Sequence, residues 1–299
     1  MLSDLLSAVA NLAVPFFAVT SMLSVGFAYS ARQILAPLRD VRALLRALLA
    51  NFVLVPLFTV GILRLWPIDR PLEAGLLLVA LSAGAPFLIK LTAAARAEVA
   101  LSATLLVLLL PVTVLYAPIV VPRVLPEAEV SVVALATPLV LAMLLPLAIA
   151  LLINSRWPER ARRWAALTRR LSTAALVVLV VATTLANIPT IIELFVEGAI
   201  GPPLLMIAGA FVIGYLLGGK DRDVREVLGL GTAQRNISAA TVMATQGFGN
   251  SALVMVIVTS LAGFALLFPV AAVLRRRPTN ASKRRAADAG TTRNARGAG

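Results

Sequence analysis

The chain is a succession of long apolar runs separated by short polar connectors. A membrane-spanning helix takes about 20 consecutive, mostly apolar residues. Nine stretches read as such spans: 5–30, 43–64, 74–94, 98–121, 129–153, 172–195, 201–219, 226–246 and 249–274. The connectors carry proline, glycine or charge, the residue types that end helices. No basic segment precedes the first run, so it reads as a first span rather than a cleaved signal. The pattern predicts an all-α polytopic membrane protein with nine transmembrane helices.

The charges test this count independently, because cytoplasmic connectors collect Lys and Arg. Of the 27 bases, 22 fall in alternate connectors and the C-terminal tail, and only Arg64, Arg70 and Arg123 fall in the others. That second set of connectors carries Asp4, Asp69, Glu73, Glu127, Glu129, Glu193 and Glu197 instead. The segregation predicts a multi-pass protein of the inner (cytoplasmic) membrane, with an odd number of spans, the N-terminus outside and the C-terminus in the cytoplasm.

The chain divides near its middle. Residues 1–153 hold five spans and read as a first, incomplete repeat. Residues 154–171 form a basic, Trp-bearing linker expected along the inner membrane surface. Residues 172–275 hold four spans and read as a second repeat. Residues 276–299 contain no apolar run and read as a disordered, basic cytoplasmic tail.

Two spans are interrupted. The third contains SAGAPFLIKLTAAARAE, where Gly84 and Pro86 loosen or break a helix. The eighth contains GLGTAQRNISAATVMATQG, with Gly229, Gly231, Gln234, Arg235 and Asn236 at its centre. Discontinuous helices at corresponding places in two halves mark transporters built from inverted repeats, in which the broken ends offer free N–H and C=O groups at membrane depth. Each interrupted span also carries a base, Lys90 or Arg235. A base at the centre of a membrane helix costs about 2.5–3.5 kcal/mol on insertion scales. Lining a hydrated cavity that attracts an anion offsets that cost, and snorkelling to an interface is the alternative. Gln234 and Asn236 flank Arg235. Asn51, within ALLANFVLVPL, is either a packing amide or a ligand contact. Thr92, beside Lys90, completes the candidate substrate-binding set of Lys90, Arg235, Gln234, Asn236, Asn51 and Thr92.

Composition narrows the chemistry. The chain is 60% hydrophobic and only 14% charged, where a soluble domain has about 25% charged residues. It has no Cys and no His. That removes thiolate sites and the commonest general base and metal ligand. No nucleophile, acid pair or metal cluster is visible, so the chain reads as a non-enzyme without metal or cofactor. The net charge of +13 is segregated by connector rather than gathered on a soluble face, which argues against a nucleic-acid partner. The expected partners are the lipid bilayer and a small organic anion.

The stretches MLSVGFAYSARQILAPLRD, ALLANFVLVPL, ARAEVALS (95–102) and Gly231 to Asn236, in that order and spacing, resemble the bile acid:sodium symporter family in its nine-helix form, over roughly 10–275. The resemblance implies an inverted-repeat transporter with core and panel domains and two broken helices that cross in the core. It implies alternating access for an organic anion, which passes between core and panel. It also brings a departure. The family's sodium-binding Ser-Asn pair falls on Leu88 and Ile89, its Glu on Gly231, its Gln on Arg235, and a further Gln on Asn51. Oxygen ligands are thereby replaced and cationic charge is added, so sodium is disfavoured as a partner and fixed charge is the expected substitute. A sodium-coupled symporter with rearranged ligands, or an anion-binding protein that does not transport, are the alternatives on the same fold.

Overall fold

The computed structural model describes residues 2–30, 41–126 and 130–276. The expected tail from 277 onward, Arg32, Arg39, Glu127 and Glu129 lie outside these residues. All regular structure described is helical: α1 (Leu2–Ala28), α2 (Val41–Leu65), α3 (Arg70–Ala80), α4 (Leu88–Ala95), α5 (Val99–Val124), α6 (Val132–Arg156), α7 (Pro158–Ala186), α8 (Ile188–Val196), α9 (Gly201–Leu217), α10 (Arg222–Ala233), α11 (Ile237–Ala244) and α12 (Gly249–Arg276). Six of them, α1, α2, α5, α6, α7 and α12, are long and apolar enough to cross a bilayer, and α8 with α9 forms a pair bent by 76°. The chain assigned to the third and eighth spans lies in shorter pieces, α3 with α4 and α10 with α11. The protein is a multi-pass helical bundle.

The helices pack in a recurrent way. α1 lies chiefly on α7 and α6, whereas α9 lies on α10 and α2, and α12 lies on α3, α4, α9 and α11. The order of helix, interrupted pair and long helix occurs twice, as α2–α3/α4–α5 and as α9–α10/α11–α12, which is the pattern of an internal repeat. Close approach depends on small residues, as usual between membrane helices. A Cβ on Gly75 would strike the Ala252 carbonyl of α12.

α2 and α6 each contain one wide π turn, Ala50–Leu54 and Val140–Leu144, two residues ahead of Pro56 and Pro146. A proline removes the N–H that would continue the α ladder, and the turn widens to compensate. The first of these turns carries Asn51.

The basic stretch 154–171 is helical throughout except at Trp157. It closes α6 and forms the first half of α7, which continues without interruption to Ala186. Ala161 and Ala165 are buried against Phe27 and Ala150, Trp164 meets Phe27 edge-on at 5.6 Å, and Asn154 Nδ2 donates to the Gly26 and Phe27 carbonyls at 3.2 Å. The stretch expected along the membrane surface is thus docked on the end of α1, because its alanines recur at helical spacing beneath the arginines. At 29 residues and about 1.5 Å each, α7 exceeds the roughly 30 Å hydrocarbon core.

Candidate functional site

The two interruptions meet. α3 ends at Ala80 and the chain runs without helix to α4, while α10 ends at Ala233 and only Gln234, Arg235 and Asn236 separate it from α11. Asn236 joins them: its backbone N–H donates to the Ser82 carbonyl at 2.9 Å and its Nδ2 to the Gly84 carbonyl at 3.1 Å. Asn236 also caps α11, its Oδ1 accepting from the Ala239 N–H at 3.1 Å. Gly84 has φ +77°, and a Cβ there would sit 2.6 Å from the Leu110 nitrogen, so both backbone conformation and space require glycine. Thr113 of α5 supports the first break from behind, accepting from the Ala83 N–H and donating to the Ala83 carbonyl, each at 3.0 Å.

Arg235 is buried in this junction, 4% exposed. An arginine carries five N–H donors, and five hydrogen bonds leave this one. Nε donates to the Val79 carbonyl at 3.3 Å. Nη1 donates to Asn51 Oδ1 at 2.7 Å and to the Thr232 carbonyl at 3.1 Å. Nη2 donates to the Ala80 carbonyl and, at 3.4 Å, to the Asn51 carbonyl. Val79 and Ala80 belong to the last turn of α3, where the helix dipole is negative, and the Val79 carbonyl also accepts from the Ser82 N–H at 3.0 Å. Asn51 is itself held, its Nδ2 donating to the Ala47 carbonyl at 2.9 Å and to Thr232 Oγ1 at 3.3 Å. The acceptors are neutral dipoles without a carboxylate, so the junction satisfies the guanidinium and keeps its positive charge.

Beside the junction lies an open cavity, with about 780 Å³ of atom-free space including its open side, between α1, α4, α7 and the two breaks. Lys90, Gln234 and Arg235 all line it, together with Arg169, Ser172 and Thr173 of α7, Ser21, Ser24 and Tyr29 from the end of α1, and Ser238 of α11. None of its lining residues is acidic. Lys90 is exposed, donates from Nζ to Thr173 Oγ1 at 2.9 Å and lies 5.6 Å from the Phe87 ring centroid. Gln234 Oε1 and Ser238 Oγ are buried and have no hydrogen-bond partner in the protein, although buried polar groups are nearly always paired.

The six residues singled out in the sequence therefore divide. Lys90, Gln234 and Arg235 line one cavity, and Asn51 and Asn236 hold the junction behind it. Thr92 does not line the cavity; its hydroxyl lies 3.0 Å from the Leu88 carbonyl and 2.9 Å from Ser102 Oγ, tying α4 to α5. Arg169, Ser172, Thr173 and Ser238 reach the cavity without having been singled out, and only the helical continuity of α7 could have pointed to the first three. Three of the five positions that the resemblance aligns with sodium ligands are apolar: Leu88 is buried, Ile89 lines the cavity, and a Cβ on Gly231 would stand 3.1 Å from Leu88 Cδ2 and 3.4 Å from Leu105 Cδ1. Among the described residues no group of three or more acidic side chains could hold a metal ion.

Comparison with known proteins agrees with this architecture. Residues 15–194 match the Sodium Bile acid symporter family, more than half of the chain, and the protein belongs to that family of non-catalytic secondary transporters. No curated protein matches the chain as a relative.

Proposed function

We propose that this protein is a secondary transporter that carries an organic anion across the cytoplasmic membrane by alternating access, without classical two-sodium coupling. The chain then makes nine crossings, counting each interrupted pair once, which puts the termini on opposite faces, and the base-rich connectors favour the N-terminus outside and the C-terminus in the cytoplasm. On this reading α1, α6 and α7 act as the panel and the remaining helices as the core, with substrate passing between them.

The observation that carries the reading is the set of five neutral acceptors around Arg235. A hard cation such as sodium binds oxygen ligands. Here helix-end carbonyls and an amide oxygen surround a covalently attached cation, and Leu88, Ile89 and Gly231 offer no side-chain oxygen. Arg235 supplies permanently the charge that a coupling ion would bring. Its donors are occupied, so it acts on the anion through its field, which is strong in a low-dielectric site.

Direct contact falls to Lys90, which has two further N–H groups after its bond to Thr173, and to the unpartnered Ser238 hydroxyl, while the unpartnered Gln234 Oε1 is an acceptor for a hydroxyl on the substrate body. Phe17, Val25, Phe87 and Leu176 supply apolar wall for the body of the substrate. Movement of the core against the panel then transfers the site between the two faces.

Uptake of a radiolabelled organic anion into proteoliposomes tests the reading, with sodium present or replaced by choline. Saturable uptake indifferent to sodium and lost in Lys90→Met supports it. An absolute sodium requirement overturns the fixed-charge mechanism. Saturable binding without uptake or counterflow favours an anion-binding protein on the same fold.

A further inference from the structure

A groove runs along the outside of the bundle between α4 and α7, with about 1180 Å³ of atom-free space including its open side. Lys90, Arg169, Arg170 and Thr173 line one end, and Ala174, Val177 and Val178 continue from them. On α7 the positions 169/170, 173/174 and 177/178 recur every four residues, which sets them in one stripe along the helix. The stripe begins with two guanidinium groups and passes within about 12 Å, at 1.5 Å per residue, to bare valines. Val177 and Val178 are 54% and 44% exposed. No acidic residue lines the groove.

We infer that this groove binds an anionic phospholipid, its phosphate between Arg169, Arg170 and Lys90 and an acyl chain along Ala174, Val177 and Val178. Three chemical features select that occupant. Arginine forks match phosphate oxygens in paired hydrogen bonds. The cations stand where α7 changes from its basic, Trp-bearing half to its apolar half, the depth of the headgroups. The apolar part of the stripe points toward hydrocarbon, so a soluble phosphate would satisfy the cations and leave the valines without a partner.

The groove adjoins the central cavity. Lys90, Arg169 and Thr173 line both, and the 2.9 Å hydrogen bond from Lys90 to Thr173 stands between them. The inference rests on the chain crossing a bilayer and not on transport.

Trp164, 45% exposed and six residues before Arg170, is a reporter for this site. In a background where Trp66 and Trp157 are replaced by Phe, brominated phosphatidylglycerol is expected to quench Trp164 at lower mole fraction than brominated phosphatidylcholine, by about 25-fold for the arginine pair at about fivefold for each base at the membrane surface. The R169Q/R170Q pair should remove that preference, R170Q alone should reduce it, and R162Q/R163Q, which removes equal charge outside the groove, should leave it. Equal quenching by the two lipids overturns the inference, as does a preference that survives R169Q/R170Q or is lost equally in R162Q/R163Q. Displacement of the lipid by millimolar glycerol phosphate overturns it too, by assigning the site to a soluble phosphate. Quenching is read without substrate, so its outcome is separate from uptake in phosphatidylcholine vesicles.

Discussion

Asn51 and Arg235 are 184 positions apart in the chain, yet Arg235 Nη1 donates to Asn51 Oδ1 at 2.7 Å in the buried centre of the bundle. This contact joins the π turn of α2 to the break after α10, and the same guanidinium reaches the last two carbonyls of α3. Removing one partner of a buried hydrogen bond costs about 1–3 kcal/mol, more when the group left behind is charged. Asn51→Ala is therefore expected to lower the thermal midpoint in detergent. Asn51→Gln, which keeps the acceptor, should lose less. A midpoint unchanged in Asn51→Ala would show that water replaces the amide and that the junction is wet.

Leu88 and Gly231 are complementary: the one fills space that a side chain on the other would need. Gly231→Glu alone is expected to unfold or fail to insert, because it drives a carboxylate against Leu88 and Leu105. Making Leu88→Ser, Ile89→Asn, Gly231→Glu and Arg235→Gln together exchanges the fixed cation for oxygen ligands. In proteoliposomes the fourfold variant should acquire sodium-dependent uptake where the native chain has none. A folded fourfold variant indifferent to sodium would sink the idea that Arg235 stands in for an ion.

Much of this centre was legible in the sequence. Gly84 and Pro86 announce one interruption, and Gln234, Arg235 and Asn236 the other, because such residues disfavour an uninterrupted apolar helix. The apolar runs located the long helices, but the third, sixth and eighth runs each contain a helix end, after Ala80, Ala186 and Ala233, because a hydropathy window averages across a break. The docked start of α7 was hidden by its arginines. Its buried face is made of Ala161 and Ala165, which register weakly in hydropathy but allow close packing. The cage around Arg235 was not legible at all, since four of its five bonds end on backbone carbonyls, whose positions no side-chain pattern encodes.

Ser238 is buried, unpartnered and on the cavity wall, so its hydroxyl is available to a ligand. Ser238→Ala should raise KM for the transported anion by about tenfold, the order of one net hydrogen bond, and leave stability almost unchanged because no protein contact is lost. Ser238→Val adds volume as well and should abolish saturable uptake. An unaltered KM in Ser238→Ala would place the substrate elsewhere in the cavity.

Lys90 gives the sharpest separation between binding and folding. Its ammonium is exposed and makes one hydrogen bond, to Thr173, so Lys90→Met should leave the thermal midpoint close to native. A charged hydrogen bond to a ligand is worth about 1.5–3 kcal/mol, which corresponds to a rise in KM of roughly 10- to 150-fold, enough to erase saturable uptake at micromolar substrate. Lys90→Arg keeps the charge and should retain measurable transport, with KM raised because the planar fork and the rotating ammonium place their protons differently. Thr173→Ala frees the Nζ from its protein partner while keeping the charge, and should alter KM by no more than a fewfold. If Lys90→Met and Thr173→Ala prove equally damaging, the hydrogen bond between α4 and α7 matters for the structure, and the charge of Lys90 does not matter for the anion.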